Sequence, residues 1–185
     1  MTTEQWSLLA SFVTMALVAS SYFLKDKRGY LLFQSVGMIF LMASYCLDGL
    51  YFPMIGLSIG LARALIFFAY EKKDKSAPIF WPYVLAALSV VSYLIVNVWI
   101  LKTQNPYDIL YLIGLILYAF AFRIRNLEVF RYTVTIPTAI CFLYNVVSGA
   151  AIFAILSYGF ELCANVLAIL KYYVFGRQTK EKSYD

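Results

Sequence analysis

Two charged residues lie in the middle of apolar stretches of this sequence. Arg63 is near the centre of the stretch 51–70, and Glu161 is at a similar depth in an apolar stretch near the other end of the chain. A charge at the centre of a membrane helix costs roughly 3 kcal/mol, so each group needs a partner or a hydrated cavity. We therefore expect Arg63 and Glu161 to come together.

The neighbours of these charges allow two interpretations. Ser157, Glu161 and Asn165 are four residues apart, so they share one face of a helix. In the functional interpretation, these three residues and Arg63 line a site for a polar solute, and the carboxylate can couple transport to protons. In the structural interpretation, an ion pair and an asparagine fasten two helices together.

The composition points to a membrane protein. Hydrophobic residues make up 63% of the 185 residues, which exceeds what a soluble core needs. The net charge of +5 comes from short basic clusters between apolar spans, so we expect no nucleic-acid partner. Because the chain has no histidine and no carboxylate cluster, we expect neither an enzyme nor a metal or cofactor.

The apolar stretches predict an all-α, polytopic membrane protein with seven transmembrane helices. We place them near residues 5–24, 30–48, 51–70, 79–101, 107–122, 132–148 and 150–173. With seven spans, 13 of the 15 basic residues fall on one side of the bilayer. That side is expected to be cytoplasmic, which puts the N-terminus outside and the C-terminus inside.

The loop pattern repeats when the chain is shifted by 100 residues, with Gly49 and Gly149 in equivalent short turns. The repeat predicts two parallel three-helix bundles joined by a linker helix, the arrangement of some secondary transporters. The corresponding units are a first bundle, a linker, a second bundle and a cytoplasmic tail, at residues 1–76, 77–104, 105–176 and 177–185.

Other polar or helix-weakening residues are weaker candidates. Tyr45, Tyr144 and Asn145 lie at the predicted outer ends of the second and sixth helices. There they either form an extracellular vestibule or anchor the helices at the membrane interface. Gln34 places an amide within a span, either at the solute site or in a bond between helices. Pro137 and its equivalent Gly37 weaken the second helix of each bundle, as hinges or as fixed packing features.

The spacing of several residues resembles that of the YgjV-type family of bacterial inner-membrane proteins. The likeness is carried by Gly49, Tyr51, Arg63, Leu65, Ile66, Asn145, Gly149, Gly159, Asn165 and Lys171. It implies an address in the bacterial cytoplasmic membrane. Glu161 has no place in that pattern.

More distantly, the three-one-three layout is similar to the PQ-loop group, which includes the SWEET sugar facilitators. That likeness implies a central site and alternating access. The Pro-Gln dipeptide is missing, since Phe33 precedes Gln34.

We predict a carrier for a small polar solute such as a nucleoside, a vitamin precursor or a sugar, embedded in the lipid bilayer and able to form a homo-oligomer. The alternative is a non-transporting membrane partner or assembly protein with a structural Arg–Glu pair. A pocket at mid-membrane that opens to either face would favour the first hypothesis, and unbroken packing would favour the second.

Overall fold

The structure, a computed structural model, describes residues 2–21, 24, 27–100 and 106–170. These residues form seven α-helices, which confirms the predicted all-α fold. The helices are α1 (Thr3–Ser21), α2 (Lys27–Leu47), α3 (Tyr51–Lys72), α4 (Phe80–Tyr93), α5 (Asp108–Ala121), α6 (Leu127–Ser148) and α7 (Ile152–Ile169). The predicted tail at 177–185 and the loop cations Lys25, Lys102 and Lys171 lie outside the described residues.

Two helix boundaries differ from those predicted. The helix expected at 79–101 changes from α-helical to π-helical geometry over Leu94–Ile100. The sixth helix begins at Leu127, five residues before the predicted start at 132. Asn126 explains the earlier start, because its side-chain oxygen accepts a hydrogen bond of 3.2 Å from the backbone N–H of Val129, as an N-cap residue does.

Helix α1 has its polar side inside and its apolar side outside. The buried stripe is Ser7, Ser11, Thr14, Val18 and Ser21, at helical spacing. Large apolar side chains of the same helix are exposed, among them those of Trp6 and Phe12. Small residues at helix interfaces and large apolar residues on the outer surface are typical of helices that face lipid.

Three helical stretches are long and apolar enough to cross a membrane, namely Lys27–Leu47, Tyr51–Lys72 and Phe80–Asn97. Asp108–Ala121 and Ile152–Leu167 are apolar but shorter. Together with the apolar outer surface, these stretches identify a polytopic membrane protein.

Six helices form a closed ring in the order α1, α2, α3, α5, α6, α7, with α7 packing back against α1. Helix α4 lies outside the ring, against α3 and α5. In this order, helices that are equivalent under the shift of 100 residues lie opposite each other: α1 and α5, α2 and α6, α3 and α7. The division into two bundles as separate domains stays a prediction.

The two short turns repeat in backbone detail. Gly49 and Gly149 have φ angles of +73° and +71°, a conformation that glycine adopts without strain. After each glycine, the backbone N–H bonds back five residues, from Leu50 to Tyr45 at 2.9 Å and from Ala150 to Asn145 at 3.2 Å. This is a Schellman ending, which stops α2 and α6 at equivalent positions.

Gly56 allows α3 and α5 to approach closely. A Cβ atom added there would lie 2.6 Å from the ring of Tyr111 and 2.7 Å from Leu115.

We expect Gly56→Ala to lower the stability of the purified protein, because overpacking costs about 1–3 kcal/mol. The control is Gly37→Ala, where the nearest atoms would be 3.7 Å away and alanine favours the helix by up to about 1 kcal/mol. Thermal unfolding in detergent measures both, and equal shifts for the two variants would contradict this packing account.

Candidate functional site

A cavity of about 40 Å³ lies inside the ring, and all six ring helices contribute to its wall. A cavity of that size has room for about three water molecules. Its polar wall residues are Thr14, Gln34, Arg63, Tyr111, Tyr118, Ser157, Tyr158 and Glu161. The hollow that the carrier hypothesis requires is therefore present.

Arg63 is 4% exposed and reaches the cavity from α3. Its guanidinium carbon lies 5.0 Å from the ring centre of Tyr118 and 4.2 Å from that of Phe122. These cation–π contacts offset part of the cost of burying the charge. Within the described residues, the Nε atom has no hydrogen-bond partner and no carboxylate lies within 4.0 Å of the guanidinium.

Glu161 is 7% exposed and faces the same cavity from α7. Its Oε1 accepts a hydrogen bond of 3.4 Å from the hydroxyl of Tyr30 on α2. The sequence led us to expect direct contact between Glu161 and Arg63. The two charges instead share a cavity, because the aromatic rings of α5 cover the guanidinium.

Three further sequence candidates line the cavity. Ser157 does so while its hydroxyl donates to the carbonyl of Phe153 at 2.7 Å. The amide nitrogen of Gln34 has no hydrogen-bond acceptor in the described part of the chain. Gly37 is on the wall as well, and its carbonyl accepts a bond of 3.2 Å from Thr14. Neither Asn165 nor Pro137 is among the wall residues, although Asn165 is fully buried and Pro137 lies within the continuous helix α6.

The aromatic wall was not predicted from the sequence. Tyr111, Leu115, Tyr118 and Phe122 come from α5 and its C-terminal end, at intervals of four, three and four residues. That spacing puts them on one helix face, which is the signal that identifies them. Cys141 on α6 also lines the cavity.

Tyr45, Tyr144 and Asn145 are fully buried, so they form neither an open vestibule nor surface anchors. They occupy the glycine-turn end of the ring, defined by the turns at Gly49 and Gly149. The hydroxyl of Tyr45 donates to Asn145 Oδ1. The hydroxyl of Tyr144 donates to Asp108 Oδ1 at 3.1 Å. None of the residues that make these bonds is among the wall residues of the cavity.

Equivalent residues of α2 and α6 touch on both sides of the cavity. Tyr45 and Asn145 are 100 positions apart and bond to each other. Tyr30 and Phe130, also 100 positions apart, make an edge-to-face ring contact at 5.4 Å. Both contacts therefore join equivalent positions of two helices that lie opposite each other in the ring. The cavity wall of α2, from Gln34 to Leu41, lies between these two contacts.

The opposite end, the charged end, is where α2 begins, α3 ends and α5 meets α6. Lys27 Nζ donates to the carbonyls of Phe122 at 3.2 Å and Ile124 at 2.6 Å, and lies 3.6 Å from Glu71. Arg125 pairs with Glu71 at 3.3 Å, so Glu71 joins a cation at the start of α2 to one in the loop between α5 and α6. A cation at the C-terminal end of α5 also interacts favourably with the helix dipole.

The seven apolar helices and the apolar outer surface together define the class: this is a polytopic membrane protein. The match to known families gives the particular assignment. The chain belongs to the Imp-YgjV family of bacterial inner membrane proteins, whose model matches residues 6–175. The family resemblance is thereby confirmed. No curated protein and no solved structure matches the chain.

The charged end should depend more on Glu71 than on Asp74. The Glu71 side chain is 12% exposed, whereas that of Asp74 is 77% exposed, although both pair with arginine. We expect Glu71→Gln to lower the free energy of unfolding by roughly 2 kcal/mol, since hydrogen bonds to charged groups contribute that much. Asp74→Asn should cost less than about 1 kcal/mol, as exposed ion pairs do.

Asparagine suits this control because Asp74 has a φ of +52°, which asparagine tolerates. Thermal or denaturant unfolding in detergent measures both variants. An effect of Asp74→Asn as large as that of Glu71→Gln would contradict the assignment.

Proposed function

We propose that this protein is a membrane carrier for a small polar solute, rather than an enzyme, and that the solute passes through the central cavity. The observation that carries the proposal is an enclosed cavity with Arg63 and Glu161 in its wall, both at least nine-tenths buried. Intramembrane charges are costly, and those that face a cavity typically mark a solute or ion pathway.

The two ends of the cavity support alternating access. Tyr45 and Asn145 close the glycine-turn end, and Tyr30 and Phe130 meet on the other side. Both contacts join α2 to α6, so tilting these helices apart at one end opens one side while the other stays closed. Gly37 and Pro137 lie between the two contacts, where the hinge proposal needs them. The described conformation is then the closed intermediate of the cycle.

The proposed orientation puts the charged end in the cytoplasm. Lys27, Arg28, Arg123 and Arg125 lie there, and cytoplasmic loops carry an excess of lysine and arginine. The carboxylate of Glu161 provides a group that can take up a proton when the cavity opens. A nucleoside, a vitamin precursor or a sugar needs a wider cavity than the closed one, so each must enter an open conformation.

Transport measurements test the carrier function. Purified protein in liposomes should take up at least one labelled solute from a panel of sugars, nucleosides and small organic acids. Arg63→Ala and Glu161→Ala should each reduce that uptake at least ten-fold, which corresponds to a rise of about 1.4 kcal/mol in the barrier to transport. Leu65→Ala is the control, because Leu65 is two residues from Arg63 on the outer surface and is 51% exposed.

Gel filtration and thermal unfolding must show that each variant is folded, and Arg63→Lys provides a milder change. Uptake at the full rate in both alanine variants would contradict the assignment of the site. No uptake by the unchanged protein, with another membrane protein retained during purification, would favour the assembly-partner hypothesis.

Cys141 can report the opening of the cavity. In a Cys46→Ser, Cys163→Ser background, we expect slow modification of Cys141 by methyl methanethiosulfonate, because its thiol is buried in the cavity wall. Tyr45→Phe removes the hydrogen bond to Asn145 and should accelerate the reaction about five-fold, the effect of losing about 1 kcal/mol. Tyr51→Phe, at a tyrosine that is 48% exposed, should change nothing. Equal rates in both variants would rule out this closure as a gate.

A further inference from the structure

We propose that the cavity binds a small organic anion of the formate or acetate type, held by Arg63 and Gln34. The proposal deepens the carrier function, on which it rests for the identity of the site. It differs from the sugars and nucleosides considered above, because the cavity itself favours another chemistry.

The wall offers donors that need an acceptor. Arg63 Nε has no hydrogen-bond partner in the parts of the chain that the structure covers, and the same is true of Gln34 Nε2. Both residues are more than nine-tenths buried and both line the cavity. A buried donor without an acceptor is unfavourable, so the ligand that fits must bring acceptor oxygens.

Charge favours an anion over a neutral acceptor. The described carboxylates all lie beyond 4.0 Å from the guanidinium, whose positive charge is supported by the rings of Tyr118 and Phe122. Those rings pack against the guanidinium carbon, and the Nε donor has no acceptor among the described residues. A planar carboxylate matches the edge of a guanidinium and can accept two parallel hydrogen bonds from it.

The volume limits the size of that anion. A cavity of about 40 Å³ accommodates about three waters, hence three or four non-hydrogen atoms. Formate has three such atoms and acetate has four. The apolar part of the wall, including Leu57 and Leu115, gives the methyl group of acetate a suitable surface.

Substitution of Glu161 distinguishes an anion site from a purely structural role of Arg63 and Glu161. Its carboxylate faces the same cavity, so its negative charge opposes that of the ligand. Removing that charge with Glu161→Gln should tighten anion binding, whereas removing the positive charge with Arg63→Gln should abolish it. A structural ion pair would predict loss of stability in both variants and no opposite effects on binding.

The test is a binding measurement on the full-length protein in detergent. Unfolding temperature is followed against sodium formate and sodium acetate, with sodium gluconate keeping the ionic strength constant, since gluconate is too large for the cavity. Formamide and acetamide are the matched neutral ligands of the same shape. We expect saturable stabilisation by formate, with a dissociation constant at least ten times lower than that of formamide.

Formate binding by four variants tests which residues form the site. Formate affinity should fall at least ten-fold in Arg63→Gln, fall less in Gln34→Leu, rise in Glu161→Gln and stay unchanged in Leu65→Ala. If Arg63→Gln does not fold, two measurements still test the proposal. These are formate binding by Gln34→Leu and the comparison of formate with formamide on the unchanged protein. Three results would overturn the proposal. Formate and formamide could stabilise the protein equally, or Gln34→Leu could bind formate as tightly as the unchanged protein does. Neither anion could stabilise the protein, which is the result expected if only water fills the cavity.

The same measurements separate this inference from the carrier function. Formate binding without uptake of any solute into liposomes would support the anion site and contradict the carrier function. Uptake of a neutral solute without formate binding would support the carrier function and contradict the anion site.

Discussion

The burial of one guanidinium inside a membrane protein constrains the rest of this structure. Arg63 is 4% exposed, and among the described residues no carboxylate lies within 4.0 Å of its guanidinium, so α5 and its C-terminal end bring two aromatic rings to within about 5 Å of its charge. Gly56 provides the necessary closeness, because any side chain there would collide with Tyr111 and Leu115. The contact between α3 and α5, and with it one side of the ring, follows from the need to accommodate Arg63.

Two contacts across the ring lie on either side of its cavity. Helices α2 and α6 meet at Tyr45 with Asn145 and at Tyr30 with Phe130, and each pair joins positions 100 residues apart. The wall residues of α2, among them Gly37, lie between those two contacts along the helix. Glycine adds no side chain there, which leaves room for the cavity.

Much of the fold could be predicted from the sequence because it depends on local signals. Apolar stretches of membrane length give the helices, and Gly49 and Gly149 end α2 and α6 through a conformation that glycine favours. The site was less predictable. Arg63, Glu161, Ser157 and Gln34 stand out as polar groups in apolar helices, but the chain has 16 tyrosines and 15 phenylalanines. Which of those rings cover Arg63 depends on how α5 packs, and spacing along α3 contains no information about that.

The failure of the expected ion pair is itself informative. Had Arg63 and Glu161 paired directly, each would have used its hydrogen-bonding capacity on the other, and the cavity would present little to a ligand. The structure keeps both charges in the wall of one cavity, packs the guanidinium against aromatic rings and leaves its Nε donor without a partner among the described side chains. Stability alone would favour the satisfied pair. Departures from the most stable arrangement are expected where a protein works, which supports the proposal that this chain functions at the cavity.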